Sequence, residues 1–271
     1  MQIVTLTTDF GLQDYYVPVL KGAMLSRHRS LNIVDISHQI KHHDIVQAAF
    51  VLKNAWAAFP EGTIHIVSTN NYGGERGRFL VFKYEKHIFI GPDNGIFTLV
   101  FPKIIEQAHL IEIIEIPFVG LNFEHVREAL ASAVGQLASN APLSTLGQST
   151  KDILQRITFQ PVIAPAQIRG AVIYVDHYDN VVSNITRDLF EKVGRGRSFQ
   201  LFFKRHDPIL GLSQHYNDVP IGETLCLFNS DYLEVAINMG KAAEMFGLKI
   251  EDTIQIDFQD RKSTRLNSSH Q

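Results

Sequence analysis

The chain has 271 residues, 45% of them hydrophobic and 20% charged, enough for one large or two ordinary domains with real cores. Its formal net charge is -3, with no basic block before the last residues, which argues against a nucleic-acid surface. No apolar run approaches the ~20 residues that a membrane span needs.

The first strand is expected over 2–7, and it runs straight into Thr7-Thr8-Asp9-Phe10-Gly11. Its polar groups therefore lie at its carboxyl end, where open α/β sheets bind ligands. A helix is expected over 15–28, so Asp9 occupies a strand-to-helix turn. Two readings of Asp9 stand side by side: a carboxylate that accepts sugar hydroxyls, or the cap of the following helix. The start, Met1-Gln2-Ile3, lacks the basic and apolar segments of a signal peptide.

Further strands are expected over 32–36, 63–68, 78–84, 87–91 and 110–115, and helices over 44–58 and 125–139. Asp44 precedes the apolar-periodic segment Ile45, Ala48, Ala49, Val51, Leu52, Ala55 and Trp56, which suits an N-cap. This alternation predicts an α/β domain with a mostly parallel sheet over residues 1–160. His38, His42 and His43 lie near Asp44 but lack the His pair and intervening Glu of a zinc helix. They read as surface residues, and no metal is expected.

Three polar segments follow. Ser68-Thr69-Asn70-Asn71-Tyr72-Gly73-Gly74-Glu75-Arg76 is longer than a simple turn requires. It can bring backbone amides, and the Asn71 and Tyr72 side chains, close to a ligand, with Arg76 as a forked cation. Gly91-Pro92-Asp93-Asn94-Gly95 is a turn by composition. Glu124-His125-Val126-Arg127-Glu128 opens a helix. A histidine there feels the positive end of the helix dipole, which favours the neutral form.

Pro161 and Pro165 mark a linker, expected over 161–169. From 170 to 259 the chain reads as short strands, 170–175, 198–203, 224–228, 233–237 and 253–258, with a helix at 241–246. That pattern predicts a small all-β barrel or sandwich. Within it, Asp176-His177-Tyr178-Asp179-Asn180 is unusually rich in carboxylates and amides for a turn, and Asn180 offers one donor and one acceptor to an adenine-like edge. The one cysteine, Cys226, sits in an apolar run and suits a buried thiol in a reducing, cytoplasmic compartment. Residues 260–271 are polar and patternless, and are expected to be a non-native or disordered tail.

Taken in order, the TTDFG strand end, the Glu-Arg loop, Gly-Pro-Asp-Asn-Gly, His-x-Arg-Glu, Asp-(x)3-Asn-(x)3-Asn-Ile and Asn-Ser…Gly-x-Ala-Ala form one pattern over residues 1–258. It resembles the S-adenosylmethionine (SAM) hydroxide adenosyltransferases, or SAM hydrolases, relatives of the SAM-dependent fluorinase and chlorinase. The resemblance implies an α/β domain followed by a β-barrel domain. It also implies a homotrimer with each site between the N-domain of one subunit and the C-domain of its neighbour. SAM would be the substrate, with no cofactor.

By the same resemblance, Asp9 holds the ribose hydroxyls and Asp176 the methionine amino group. Asn180 reads adenine, Ser230 binds the methionine end, and a backbone group at Ala242 meets adenine. Water would be handled by an Asp-Arg-His set, matched by Arg76 and His125, with the neutral imidazole orienting the water and later accepting its proton. The aspartate is replaced by Thr69, whose hydroxyl can bond a water but cannot take its proton at neutral pH. Asp231 stands where fluorinase-like members carry an arginine. The departures leave three expectations open: hydrolysis of SAM, binding of SAM or adenosine without chemistry, and halide-using adenosyl transfer.

Overall fold

The computed structural model describes residues 1–72, 77–102, 111–114, 122–204 and 206–259. Arg76 and the tail 260–271 lie outside the described residues. The chain divides into two compact units, Met1–Thr158 and Phe159–Gln271.

The first unit is a mixed sheet with helices on both faces. Its strands are β1 (Gln2–Thr8), β2 (Leu31–Ser37), β3 (Ile64–Ser68), β4 (Phe79–Tyr84), β5 (His87–Pro92), β6 (Ile111–Ile114) and β7 (Gln148–Ser149). Its helices are α1 (Tyr16–Arg27), α2 (Ile45–Ala55), α3 (Ile96–Val100) and α4 (Phe123–Ala138). Strand side chains alternate between two cores. Val4, Leu6, Ile64 and Ile66 pack with Leu20 and Met24 of α1 and with Leu130 and Val134 of α4. On the other face Val67, Phe82 and Phe89 pack with Ala48 and Leu52 of α2 and Phe97 of α3.

The sheet order is β2-β1-β3-β5-β4-β6-β7. The expectation of a mostly parallel sheet needs correction. β2, β1, β3 and β5 are mutually parallel, whereas β4 pairs antiparallel with both β5 and β6, and β6 with β7. The cause is local. Only Glu85 and Lys86 separate β4 from β5, both with positive φ (44° and 69°), the backbone of a type I′ hairpin. Two residues cannot form the crossover a parallel pair requires.

The chain leaves β1 toward β2 on one side, then returns past it to β3 on the other. The carboxyl ends of β1 and β3 therefore flank a topological switch point, the favoured ligand position in such sheets.

The second unit is a curled antiparallel sheet. Its strands are β8 (Val162–Ala164), β9 (Gln167–Val175), β10 (Val181–Thr186), β11 (Phe199–Phe203), β12 (Thr224–Asn229), β13 (Tyr232–Ile237) and β14 (Thr253–Phe258). Among the described residues two α-helices accompany them, α5 (Arg187–Gly194) and α6 (Ala242–Phe246). β9 pairs with β14 through its first half and with β10 through its second. Gly170 permits the change: a Cβ there would lie 2.5 Å from Asn184 Oδ1 and 2.6 Å from Ile185 Cγ1. The edge strands β11 and β12 are both tied to the segment 209–213, through Ile209 against Leu201 and Leu212 against Cys226.

Residues 161–169, expected as a linker, instead supply β8 and the start of β9, paired antiparallel across Pro165-Ala166. A proline suits such a turn as well as it suits a linker. Among the described residues no helix is long and apolar enough to cross a membrane.

Candidate functional site

Asp9 leaves the end of β1 and does not cap α1. That helix begins after Tyr15, with no side-chain cap. Asp9 Oδ2 accepts instead from the backbone amides of His43 (3.0 Å) and Asn70 (3.2 Å). The carboxylate thus joins the loops that follow β2 and β3. It borders a cleft of about 380 Å3 lined also by Gly11, His38, Gln39, Ile40, Lys41 and His42.

Beneath Asp9, Thr8 Oγ1 lies 2.8 Å from His38 Nδ1, and His38 Nε2 lies 3.0 Å from Asp35 Oδ1. His38 is buried, contrary to its reading as a surface residue; His42 and His43 are exposed. The carbonyl of His38 also accepts from Gly11 N at 2.8 Å, which pins the turn after Asp9. His38 thus ties the loop after β2 to Thr8 and Gly11. No cluster of three or more His, Cys, Asp or Glu that could hold a metal ion occurs among the described residues.

The described part of the loop after β3, residues 69–72, is held as closely. Thr69 is fully buried, and its Oγ1 has no hydrogen-bond partner among the described residues. Asn70 takes a left-handed backbone (φ 48°), which asparagine tolerates better than most residues. Asn71 is buried and accepts through Oδ1 from Ser68 Oγ at 3.0 Å. Tyr72 is half exposed, and partial burial raises its pKa above the ordinary phenol value.

His125 is the third residue of α4. The Asn122 side chain accepts from His125 N at 3.2 Å, while Asn122 N donates to His125 Nδ1 across a long 3.5 Å. This reciprocal capping box assigns the lone pair to Nδ1. The proton of the neutral ring then sits on Nε2. His125 is exposed, and with Nδ1 turned into the cap its Nε2 edge faces outward. Phe10 meets Phe123 edge-on (5.6 Å between centroids), and both contact Tyr16, which draws the turn after Asp9 to the start of α4. The loop after β3, through Asn70, and the start of α4, through Phe123, thus both reach the turn that carries Asp9.

In the second unit, Asp176 and Asn180 close a tight turn between β9 and β10. Asp176 Oδ1 accepts from Asn180 N (2.8 Å), and its Oδ2 from Asn180 Nδ2 (3.0 Å). One amide hydrogen of Asn180 is therefore used inside the turn. Asp179 links the same turn to α6: its carbonyl accepts from Ala243 N and its carboxylate from Glu244 N. Ala242, fully buried at the start of α6, is held beside it. Ser230 and Asp231 (φ 46° and 68°) form the exposed hairpin turn between β12 and β13.

One residue here escaped the sequence reading. Glu234 is buried on β13 and accepts from Tyr216 Oη (2.8 Å) and Asn229 Nδ2 (3.3 Å). Burial pushes its pKa up, with the charge of Asp176 acting in the same direction. The same surroundings push Tyr216 well above the ordinary phenol value, burial foremost and then Glu234. A carboxylate inside the apolar run Leu233-Glu234-Val235 was the available signal.

The chain is similar to known proteins along most of its length. The model of the SAM hydroxide adenosyltransferase N-terminal domain matches residues 4–147, and that of the C-terminal domain residues 170–255. A protein of Methanocaldococcus jannaschii named (R)-S-adenosyl-L-methionine hydrolase is 26% identical over 275 residues, covering 94% of this chain and 96% of its own. A fluorinase of Nocardia brasiliensis is 27% identical over 292 residues, covering 94% and 96%. The crystal structure of a conserved protein from Thermotoga maritima superimposes with a TM-score of 0.81 at 28% identity, covering 94% of this chain and all of that one. The chain belongs to the SAM hydroxide adenosyltransferase family.

Proposed function

We propose that the protein hydrolyses S-adenosyl-L-methionine to adenosine and L-methionine. Water attacks C5′ in line with the departing sulfur. The C5′–O bond forms, the C5′–S bond breaks with its electron pair passing to sulfur, and one proton of the water leaves to solvent. A sulfonium is already a good leaving group, so the protein's task is placement at ~3–3.5 Å. The observation that carries the reading is Asp9, bound by two loop amides through Oδ2 at the switch point of the sheet.

In this scheme Oδ1 of Asp9 faces the ribose hydroxyls, and Asn71 and Tyr72 border the same ligand. His125 donates from Nε2 to the oxygen of the water and orients it. Thr69 Oγ1 offers that water a second bond, and Arg76 completes the set. Asp176 and Ser230 bind the methionine end; Asn180 and the backbone at Ala242 meet adenine. The homotrimer belongs to the same proposal, with no cofactor, and the buried thiol of Cys226 is compatible with the cytoplasm.

The test is release of adenosine and methionine by the purified protein, with its mass measured by light scattering. Turnover above background in a trimer supports the proposal. Its absence, or a His125→Ala variant as active as the parent, ends it. Thr69 favours a second reading, in which the adenosyl pocket persists without chemistry. Calorimetry separates the two, since tight binding of intact SAM without turnover selects the second. Repeating the assay with chloride and fluoride, and looking for 5′-halo-adenosine, tests the halide route suggested by the fluorinase relative.

A further inference from the structure

The turn Gly91-Pro92-Asp93-Asn94-Gly95 contributes no group to the scheme above, yet it holds one of the most fully engaged side chains of the first unit. Asn94 is 1% exposed. Its Nδ2 donates to the carbonyl of Thr69 at 2.9 Å and to that of Asn70 at 3.1 Å. Its Oδ1 accepts from Ile96 N at 3.1 Å, at the start of α3. Only an amide side chain can supply two hydrogens from one nitrogen and an acceptor alongside.

The grip has a firm anchor. Ile96, Phe97 and Val100 of α3 are core residues. Asp93, next in sequence, accepts from Arg78 Nε at 2.6 Å and from Leu154 N at 2.8 Å. Gly95 (φ 95°) lies so close under Arg156 that a Cβ would fall 2.1 Å from its Cγ. The turn is thus fixed on several sides. It transmits that fixity to two carbonyls in a loop whose Asn70 is left-handed and whose Asn70 amide holds Asp9.

We infer that Asn94 is the positioning residue of this site: through the carbonyls of Thr69 and Asn70 it sets where the Thr69 hydroxyl stands relative to Asp9. The inference rests on the hydrolase reading for its consequence and on geometry for its mechanism. Asp9 keeps its second amide, from His43, when the loop loosens. Loss of Asn94 therefore acts on placement of the reacting water more than on capture of the nucleoside. A displacement of about 1 Å at a reacting atom costs on the order of 100-fold in rate.

The experiment uses the full chain with Asn94→Asp, which keeps the acceptor for Ile96 N but replaces the donor by a carboxylate oxygen facing two carbonyls. Asn94→Ser, a smaller change that retains one hydroxyl donor, serves if the first variant does not fold. Three quantities are read: kcat with SAM, Kd for adenosine, and hydrogen exchange of the amides of residues 69–72. The expected result is a kcat lowered at least tenfold with Kd for adenosine within threefold. Exchange at 69–72 should be at least tenfold faster, with β1 and β3 unchanged. Unaltered exchange at 69–72, unaltered kcat, or a Kd weakened in step with kcat overturns the inference. If the parent releases no adenosine from SAM, the hydrolase reading fails, and the exchange rates alone decide whether Asn94 orders the loop.

Discussion

Thr69 is a buried hydroxyl without a partner among the described residues, placed where the family resemblance calls for a carboxylate. Such a group costs stability unless something else bonds it. Thr69→Val removes the hydroxyl at nearly the same size. The expected outcome is a Tm unchanged or higher together with a kcat lowered by about 10- to 100-fold, because the water loses a fixed partner. Thermal melts and steady-state rates on one preparation check it; a lower Tm with an unchanged rate would make Thr69 merely structural. His125 admits a sharper comparison. Glutamine at the third helical position can maintain the reciprocal cap with Asn122 while presenting an N–H outward. His125→Gln should keep most of the activity that His125→Ala loses, a loss of about 100-fold. Equal loss in both variants would mean that the ring acts as a base instead.

At the scale of elements, the hairpin between β4 and β5 fixes the mixed character of the first sheet, and its residues fit their backbone poorly. Glu85 and Lys86 both occupy the left-handed region that asparagine and glycine adopt more readily. Replacing them by Asn-Gly should stabilise the first unit by about 1 kcal/mol, measured as a rise in the urea midpoint without a change in slope. The same hairpin explains why alternation of strand and helix signals misled the prediction of sheet direction. The strands at 79–84 and 87–92 were visible in the sequence, and the two-residue gap between them was the decisive sign. Polar-rich turns were harder to read. Asp44 was legible as a cap because its partner Gln47 N lies three residues away. Asp9 was not, because its partners His43 and Asn70 are brought to it only by the sheet. Asn94 was opaque for the same reason, and Glu234 stood out only as a charge in an apolar strand.

For the molecule in solution, the interior of the first unit sets a limit toward acid. Thr5 Oγ1 lies 2.8 Å from His65 Nδ1, and His65 Nε2 lies 3.1 Å from His87 Nδ1, all three side chains being buried. Burial, and then the neighbouring His87, bring His65 down to about 3; burial also lowers His87. Both rings are harder to protonate in the fold than in the unfolded chain, where they take a proton near pH 6.5. The stability that depends on their neutrality is complete above about pH 6.5 and is lost progressively as pH falls from there toward about 3. Urea midpoints should drop across that window, and His65→Asn, which removes the titrating ring, should flatten the drop. An equal slope in the variant would assign acid sensitivity to carboxylates alone. The two-unit division and the run of motifs were readable because each unit carries its own core, so local patterning agrees with the global arrangement.

The hydrogen bonds from Asn94 end on main-chain oxygens, and that choice of acceptor has a consequence for how such a protein can diverge. A clamp on carbonyls is blind to the side chain it carries past the ligand. Residue 69 can exchange a carboxylate for a hydroxyl without the loop losing its address. Under the proposed scheme, the group that meets the water becomes an interchangeable fitting on a fixed mount, and descendants of one scaffold can explore new nucleophiles while the grip on the nucleoside stays in place.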